Sequence, residues 1–389
     1  MLTTLLLSLG FQEIYIEWND QRKAKNPLHF TIFRHNLFLK FKNLSKVIQH
    51  ILVIRLSAMG DVAMTVPVLK AFSLQYPEVK ISVVSRPFFK PFFDDIENVN
   101  FFAIDLKERH KGFLGLLRLF SDLRELNIDA VADLHNVLRS KVVRTLFASI
   151  GRKVAATDKG RNDKKELTKL EIKTISPTKS MFVRHAETFE KLGFPLDLET
   201  PIFPEKAVLS EEILTITGKK EGNWIGMAPF AQYESKVYPL DLLQEVIDAL
   251  AKNSSDKIFL FGGGNEEIKK LKQLQNHHDN VIVLAGKTNL KQELAIISNL
   301  NLMLSMDSGN AHIAAMLGVK VITLWGATHP FAGFKPFNQP DDFCITSDRA
   351  QFPFLPTSVY GNKKVAGYEN VMRSILPITI IDKIKKELN

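Results

Sequence analysis

From Leu302 to Ala315 the chain reads Leu-Met-Leu-Ser-Met-Asp-Ser-Gly-Asn-Ala-His-Ile-Ala-Ala. An apolar run is broken at Asp307-Ser308-Gly309 and then resumes as small and apolar residues at helical spacing. That pattern predicts a buried strand, a tight turn and a helix N-terminus. The start of a helix offers unpaired N–H groups and a partial positive charge, which suits a phosphate. Gly309 lets a ligand approach the backbone closely. Asp307 or Ser308 can cap the helix, and Asp307 can instead accept hydrogen bonds from sugar hydroxyls. Asp307, Ser308, Gly309, Asn310 and Ala311 are therefore candidate ligands of a nucleotide sugar. The plainer alternative is an ordinary capped helix after a strand. His312, one turn after Ser308, is placed to donate to a phosphate or hydroxyl, or to sit buried on a backbone partner.

A second corner of the same kind lies near the start of the chain. Ile51 to Leu56 reads as a strand, Ser57 to Asp61 as a turn, and Val62 to Gln75 as a long helix. Gly60-Asp61 would then stand at the carboxyl edge of a first parallel strand, where open α/β sheets bind ligands. Asp61 as a simple helix cap is the alternative. Strand and helix patterns keep alternating: Lys80–Ser85, Val99–Ile104 and Ile128–Asp133 read as strands, and Phe113–Leu126 as a helix. The pattern restarts at Asn223–Ala228, Lys257–Phe261, Asn280–Leu284 and Val319–Leu324. Such alternation predicts doubly wound parallel sheets. We expect residues 47–205 to form one Rossmann-like domain and 206–389 another, with the helix Ile380–Leu388 packing back across them. His135 and Arg139 follow the strand ending at Asp133 and are candidate cleft residues. Thr157 to Lys179 is polar and lysine-rich and reads as a mobile loop.

Charge and cysteine content narrow the classes. With 389 residues, a net charge of +9 and a pI near 9.3, the chain is long enough for two cores and basic enough to favour an anionic partner. Cys344 is the single cysteine, so no internal disulfide framework or cysteine-based zinc site is possible, which fits a reducing cytoplasm. The Gly262-Gly263-Gly264 run lacks the third small residue of a dinucleotide fingerprint, and no P-loop is present. No carboxylate cluster has metal-binding spacing. Residues 1–46 form an N-terminal extension ahead of the first strand. Their Phe30, Phe33, Phe38 and Phe41 among basic residues fit a membrane-surface helix, a loosely packed extension, or a start placed too far upstream.

Four segments together resemble the lipopolysaccharide heptosyltransferases of glycosyltransferase family 9. They are Arg55–Val62, Pro229–Pro239, Asp307–Ala315 and Leu324–Pro330, in the family's order and spacing. The resemblance implies the GT-B type of α/β fold: two Rossmann-like parallel-sheet domains facing a central cleft. It implies inverting transfer of heptose from ADP-heptose to a lipopolysaccharide inner-core or lipid A acceptor. No cofactor, metal or nucleic acid is expected, and the location is peripheral, at the inner face of the cytoplasmic membrane. Carried over residue by residue, Asp61 becomes the catalytic base and Lys236 the contact to the donor diphosphate. Val283, Leu284 and Gly286 become the adenosine-binding edge, where backbone groups meet the base. Gly60, His135 and Arg139 fall on the acceptor side. Tyr238 stands where many members have tryptophan, and His329 where an acidic residue is common, at the cleft mouth with Thr328. The residues alone leave other readings open: a glycosyltransferase using a different nucleotide sugar, a sugar-nucleotide epimerase or hydrolase of the same fold, or a non-catalytic binding protein.

Overall fold

The computed structural model describes residues 47–389, so the expectations for 1–46 lie outside the described residues. Two all-parallel sheets carry the chain. The first is β1 (His50–Ile54), β2 (Lys80–Ser85), β3 (Val99–Ala103), β4 (Ala130–Asp133) and β5 (Lys153–Ala156), in spatial order 3-2-1-4-5. The second is β6 (Trp224–Ala228), β7 (Lys257–Leu260), β8 (Val281–Val283), β9 (Leu302–Met306), β10 (Lys320–Trp325) and β11 (Cys344–Thr346), in order 11-10-9-6-7-8. Counted from its own first strand, the second sheet repeats the order of the first and adds one strand. The strand order reverses between β1 and β4 in one lobe and between β6 and β9 in the other. These are the switch points at which doubly wound sheets open a crevice. The central strands β1, β6 and β9 are buried almost end to end, as parallel strands covered on both faces must be.

Several helices differ from the pattern reading. The long helix expected from Val62 starts earlier and is broken at Met64 into α1 (Met59–Ala63) and α2 (Thr65–Gln75). Pro67 has no N–H to continue the ladder, so the second helix must restart before it. α3 (Gly112–Arg124) and α4 (Leu138–Ser149) pack together over one face of the first sheet. The polar segment read as a mobile loop contains a helix, α5 (Arg161–Leu167). It is held from outside: Arg184, buried on α6 (Met181–Glu190), pairs with Asp158 at 3.0 Å and Asp163 at 2.9 Å. The crossing between lobes carries α7 (Glu211–Thr217). In the second lobe follow α8 (Leu240–Ala251), α9 (Asn265–Gln275), α10 (Leu290–Ser298), α11 (Gly309–Met316) and α12 (Pro377–Leu388). α12 does not bridge the lobes. Its Ile380, Ile381 and Ile384 share a core with Leu243, Val246 and Ile247 of α8.

One apolar cluster runs from the first lobe into the second, joining Val53, Phe72 and Phe189 to Trp224, Met303 and Ile313. The lobes are also stitched by backbone hydrogen bonds, Thr178 N–H to the Phe331 carbonyl at 2.8 Å and Met181 N–H to the Gly333 carbonyl at 2.9 Å. The carboxyl edges of the two sheets are thereby held against each other.

Candidate active site

Each switch point supplies an ion pair. In the first lobe, Arg55 continues the buried strand β1 and is itself buried. One of its terminal nitrogens donates to the Leu134 carbonyl at 2.7 Å, and the other meets Asp61 Oδ2 at 2.6 Å. Asp61 is the third residue of α1 and also accepts from the Ala58 N–H at 3.2 Å, closing the helix start. Its side chain is 37% exposed against 6% for Arg55. Burial pushes the Asp61 carboxyl up, but Arg55 and the Ala58 N–H outweigh it and hold it below its ordinary value. Asp61 is thus an ionised, accessible carboxylate at neutral pH.

In the second lobe, Lys236 follows β6 in a short 3-10 turn, Glu234–Lys236. It is not a surface lysine. Its ammonium lies 3.1 Å from Asp307 Oδ2, with side-chain exposures of 12% and 10%. The same oxygen accepts from the Thr328 hydroxyl at 2.9 Å. Three loops cross behind the lysine. Ser235 donates to the Gly361 carbonyl at 2.7 Å, the Gly361 N–H donates to Ser358 at 2.9 Å, and the Ala327 N–H donates to the Ser235 carbonyl at 3.1 Å. Gly361 has φ +84°, and a Cβ there would stand 2.6 Å from Lys236 Cδ. Only glycine leaves room for the lysine stem.

The two corners touch. A Cβ on Gly60 would come within 3.0 Å of Gly309 Cα, and one on Gly309 within 2.9 Å of Met59 Cε. Gly60 therefore serves as a contact between lobes, covered by Gly309 and the His312 ring, rather than as an open acceptor surface. Ser308 is the N-cap of α11 in extended conformation, but its hydroxyl bonds Ser305 at 3.1 Å and does not cap. The first-turn N–H groups of α11 are left without a side-chain cap. Ser308, Gly309 and Asn310 are half-buried, while Ala311 is buried.

His312 sits at the meeting point. It is buried, and its Nδ1 has no hydrogen-bond partner. Burial pushes its imidazole down to about 4, against the pull of Asp307 and Asp61, with Lys236 adding to the fall. It is neutral at pH 7, with one ring nitrogen still to be satisfied. His135, after β4, is also neutral: burial first and then Arg55 lower it to about 4, and its Nδ1 accepts from the Leu56 N–H at 3.4 Å. Arg139 is exposed on the first turn of α4, away from any ion pair among the described residues. His329 is not at the cleft mouth. It is buried, its Nδ1 accepts from the Phe331 N–H at 3.2 Å, and it caps the turn Pro330–Ala332. Thr328 is likewise buried, under Asp307. Tyr238 is a packing residue, fully buried with its hydroxyl on the Ile375 carbonyl at 2.8 Å.

Val283, Leu284 and Gly286 lie at the carboxyl end of β8, three strands from β9. At the usual strand spacing that is about 14 Å from the α11 corner. Val283 and Leu284 put their side chains in the core. Leu284 also spends its backbone internally, N–H to Leu260 and carbonyl from Lys287 and Thr288, so it shapes the edge rather than offering free groups. Beside it, burial raises Glu293 to about 6. A separate cavity of about 640 Å³ lies between α2, the crossing and α10, lined by residues such as Leu74, Phe203 and Leu294. None of the residues above lines it. Sequence reasoning missed Arg55 as a partner, Glu293, and the Ser235–Gly361 brace. An arginine ending an apolar strand was the available signal for the first.

The comparisons with known proteins decide the family. The profile of glycosyltransferase family 9 (heptosyltransferase) matches residues 116–355. This chain belongs to that family. It is 24% identical over 341 residues to the lipopolysaccharide core heptosyltransferase OpsX of Haemophilus influenzae, covering 86% of this chain and 95% of that one. It is 25% identical over 367 residues to the lipopolysaccharide heptosyltransferase 2 of Escherichia coli, covering 87% and 97%. Among solved structures, a family 9 glycosyltransferase of Veillonella parvula superposes with a TM-score of 0.66 at 20% identity, covering 87% and 97%. Escherichia coli WaaC with ADP gives 0.61 at 21%, covering 87% and 99%. The fold is of the GT-B type, and the family-9 chain is a glycosyltransferase.

Proposed function

We propose that this glycosyltransferase moves heptose from ADP-heptose to an inner-core lipopolysaccharide acceptor, with inversion and without a divalent metal. The first lobe, 47–205, holds the acceptor and the second, 206–389, the donor. The observation that carries this reading is the convergence of Asp61, His312, Lys236 and Asp307 on two touching switch-point corners. The names of the relatives above supply the sugar and the acceptor.

Departure of the diphosphate leaves negative charge on its oxygens and positive charge on the sugar ring. Lys236 and the uncapped N–H groups of Gly309 to Ala311 are placed to take the first. Asp307, with one oxygen already shared by Lys236 and Thr328, keeps the other for a sugar hydroxyl, and the buried, neutral His312 stands close enough to feel its charge. The nucleoside would run along the carboxyl edge toward Val283 and Gly286, about the length of ADP at ordinary strand spacing. The acceptor hydroxyl loses its proton to Asp61 from the opposite lobe. A carboxylate held below its ordinary value is a weak base, so transfer must come late, once attack on the anomeric carbon has made the hydroxyl acidic. Base and leaving group lie on opposite lobes, which favours a single in-line displacement and inversion. Because Gly60 and Gly309 now touch, substrates enter as the lobes part and react as they close, with water excluded. A lipid-borne acceptor places the enzyme against the inner face of the cytoplasmic membrane. Among the described residues no helix is long and apolar enough to cross one.

The test is mass spectrometry of purified protein with a panel of nucleotide sugars and truncated core glycolipids, with and without chelator. A heptosylated acceptor with inverted anomeric configuration, formed equally in chelator, is expected. Turnover of donor alone would favour an epimerase or hydrolase. Rescue by magnesium or manganese after chelation would refute the metal-independent step.

A further inference from the structure

We infer that the outer face formed by the first turns of α3 and α4 is the surface that docks on an anionic bilayer. The inference rests on the proposed function only in that it gives a lipid-borne acceptor a place to be met.

α3 is apolar on two sides, although its fold requires one. Leu116, Leu119 and Leu123 face the first sheet and are buried with Val131, Val143 and Phe147. Phe113, Leu114 and Leu117 face outward in the first turns, at 66%, 67% and 38% exposure. On the neighbouring helix α4, Leu138 is 79% exposed. Single exposed leucines are common, but large apolar residues grouped at adjoining helix starts mark an interaction surface.

The charges around them identify the partner. Lys107, Lys111, Arg118, Arg139 and Lys141 are all exposed, and none has an ion-pair partner among the described residues. Their neighbour Arg109 is engaged, on Asp122 at 2.6 Å. Unpaired cations ringing apolar tips match the two components of an acidic bilayer, headgroup charge and acyl interface. An acidic protein patch would satisfy the cations but leave the apolar tips without a partner.

The position relative to the cleft agrees. α3 and α4 follow strands β3 and β4, so both begin at the carboxyl edge that carries Asp61 and His135. Lys141 belongs to the rim and also lines a polar cavity of about 310 Å³ with Asn136, Lys159 and Arg161. The surface is thus continuous with the acceptor side of the site. Docked there, the enzyme would meet a glycolipid head while the lipid stays in its leaflet.

The experiment is flotation of the full chain with vesicles of phosphatidylethanolamine and phosphatidylglycerol at 3:1, and with pure phosphatidylcholine, at low and high salt. Two variants are compared with the parent: Phe113→Gln/Leu114→Gln/Leu117→Gln and Lys107→Gln/Lys111→Gln/Arg118→Gln. All six positions are exposed, so folding should hold, and circular dichroism checks it. We expect binding to acidic vesicles only, weakened by salt and reduced about tenfold or more in each variant. Turnover of a water-soluble acceptor analogue should not change. Equal binding by parent and variants would overturn the proposal. So would the absence of parent binding, or a dimer that the triple variants abolish, which would assign the face to a second copy. Loss of soluble-acceptor turnover in the parent, with vesicle binding intact, would instead strike the functional reading alone.

Discussion

The two lobes share a strand order and put their chemistry at the same reversal point, yet they bury their ion pairs differently. In the first lobe the cation is sunk and the anion presented: Arg55 is 6% exposed and Asp61 37%. In the second lobe Lys236 and Asp307 are both nearly sealed, at 12% and 10%. One topology thus supports two electrostatic designs. A buried guanidinium behind an accessible carboxylate makes a stable proton acceptor. A sealed lysine beside an uncapped helix start makes a site that waits for negative charge. Removing one member of a sealed pair strands the other, whereas the first-lobe carboxylate can still be hydrated.

The largest effect expected from breaking this contrast is on Asp61. Asp61→Asn keeps the shape and removes the proton acceptor, and turnover should fall about a hundredfold or more. ADP affinity, measured by calorimetry, should stay unchanged. Near-normal turnover at saturating acceptor would deprive the first lobe of its assigned part. Next comes Lys236→Ala, which should weaken ADP binding and slow transfer by roughly ten- to a hundredfold. It also leaves Asp307 sealed without its cation, so thermal stability should drop. Adding Asp307→Asn should recover the stability and not the ADP affinity. Recovery of both would show that the lysine serves only the fold.

A third prediction separates the lobes by pH. Asp61 acts ionised, and Arg55 is what holds its carboxyl below the ordinary range while burial works the other way. Arg55→Met leaves burial opposed mainly by the Ala58 N–H, so the Asp61 value rises. The acid limb of the pH–rate profile should move to higher pH, with less activity near pH 5 than in the parent. Lys236→Ala should leave that limb in place. The smallest effect belongs to the brace behind Lys236. Gly361→Ala pushes on the lysine stem and should cost transfer about severalfold. In the Lys236→Ala background most of that cost should disappear, leaving only the backbone strain of a Cβ at φ +84°. Ser235→Ala loosens the same brace without backbone strain and should follow the same cycle; additive losses would detach Gly361 from the lysine.

How much of this was legible follows from what periodicity carries. Ile51–Leu56 and Leu302–Met306 announce themselves as buried strands, and the residues after each had to reach a carboxyl edge. Asp61 and Asp307 could be placed on that ground, and Lys236 by the resemblance of Pro229–Pro239 to the family's pattern. Their pairings could not. Arg55 signals that a buried cation needs a carboxylate, but nothing local says which one, and Lys236 meets Asp307 only through the adjacency of β6 and β9. α5 was missed because its seven residues have no apolar stripe of their own, and Arg184 from α6 holds it through Asp158 and Asp163. His329 was misplaced because a residue following a strand was taken to face the cleft, when the Pro330 turn folds it inward.

The bare backbones at Gly60 and Gly309 also set a mechanical tolerance. With no side chain on either, the clearance between the lobes closes to the thickness of the main chain itself, and each lobe becomes the stop for the other. One added carbon at Gly60, 3.0 Å from the Gly309 backbone, would act as a shim, holding the carboxylate of one lobe back from the cation of the other. The pair of glycines is in that sense a gauge: it fixes how near the two halves of the reaction can be brought, while the residues around it decide what is brought.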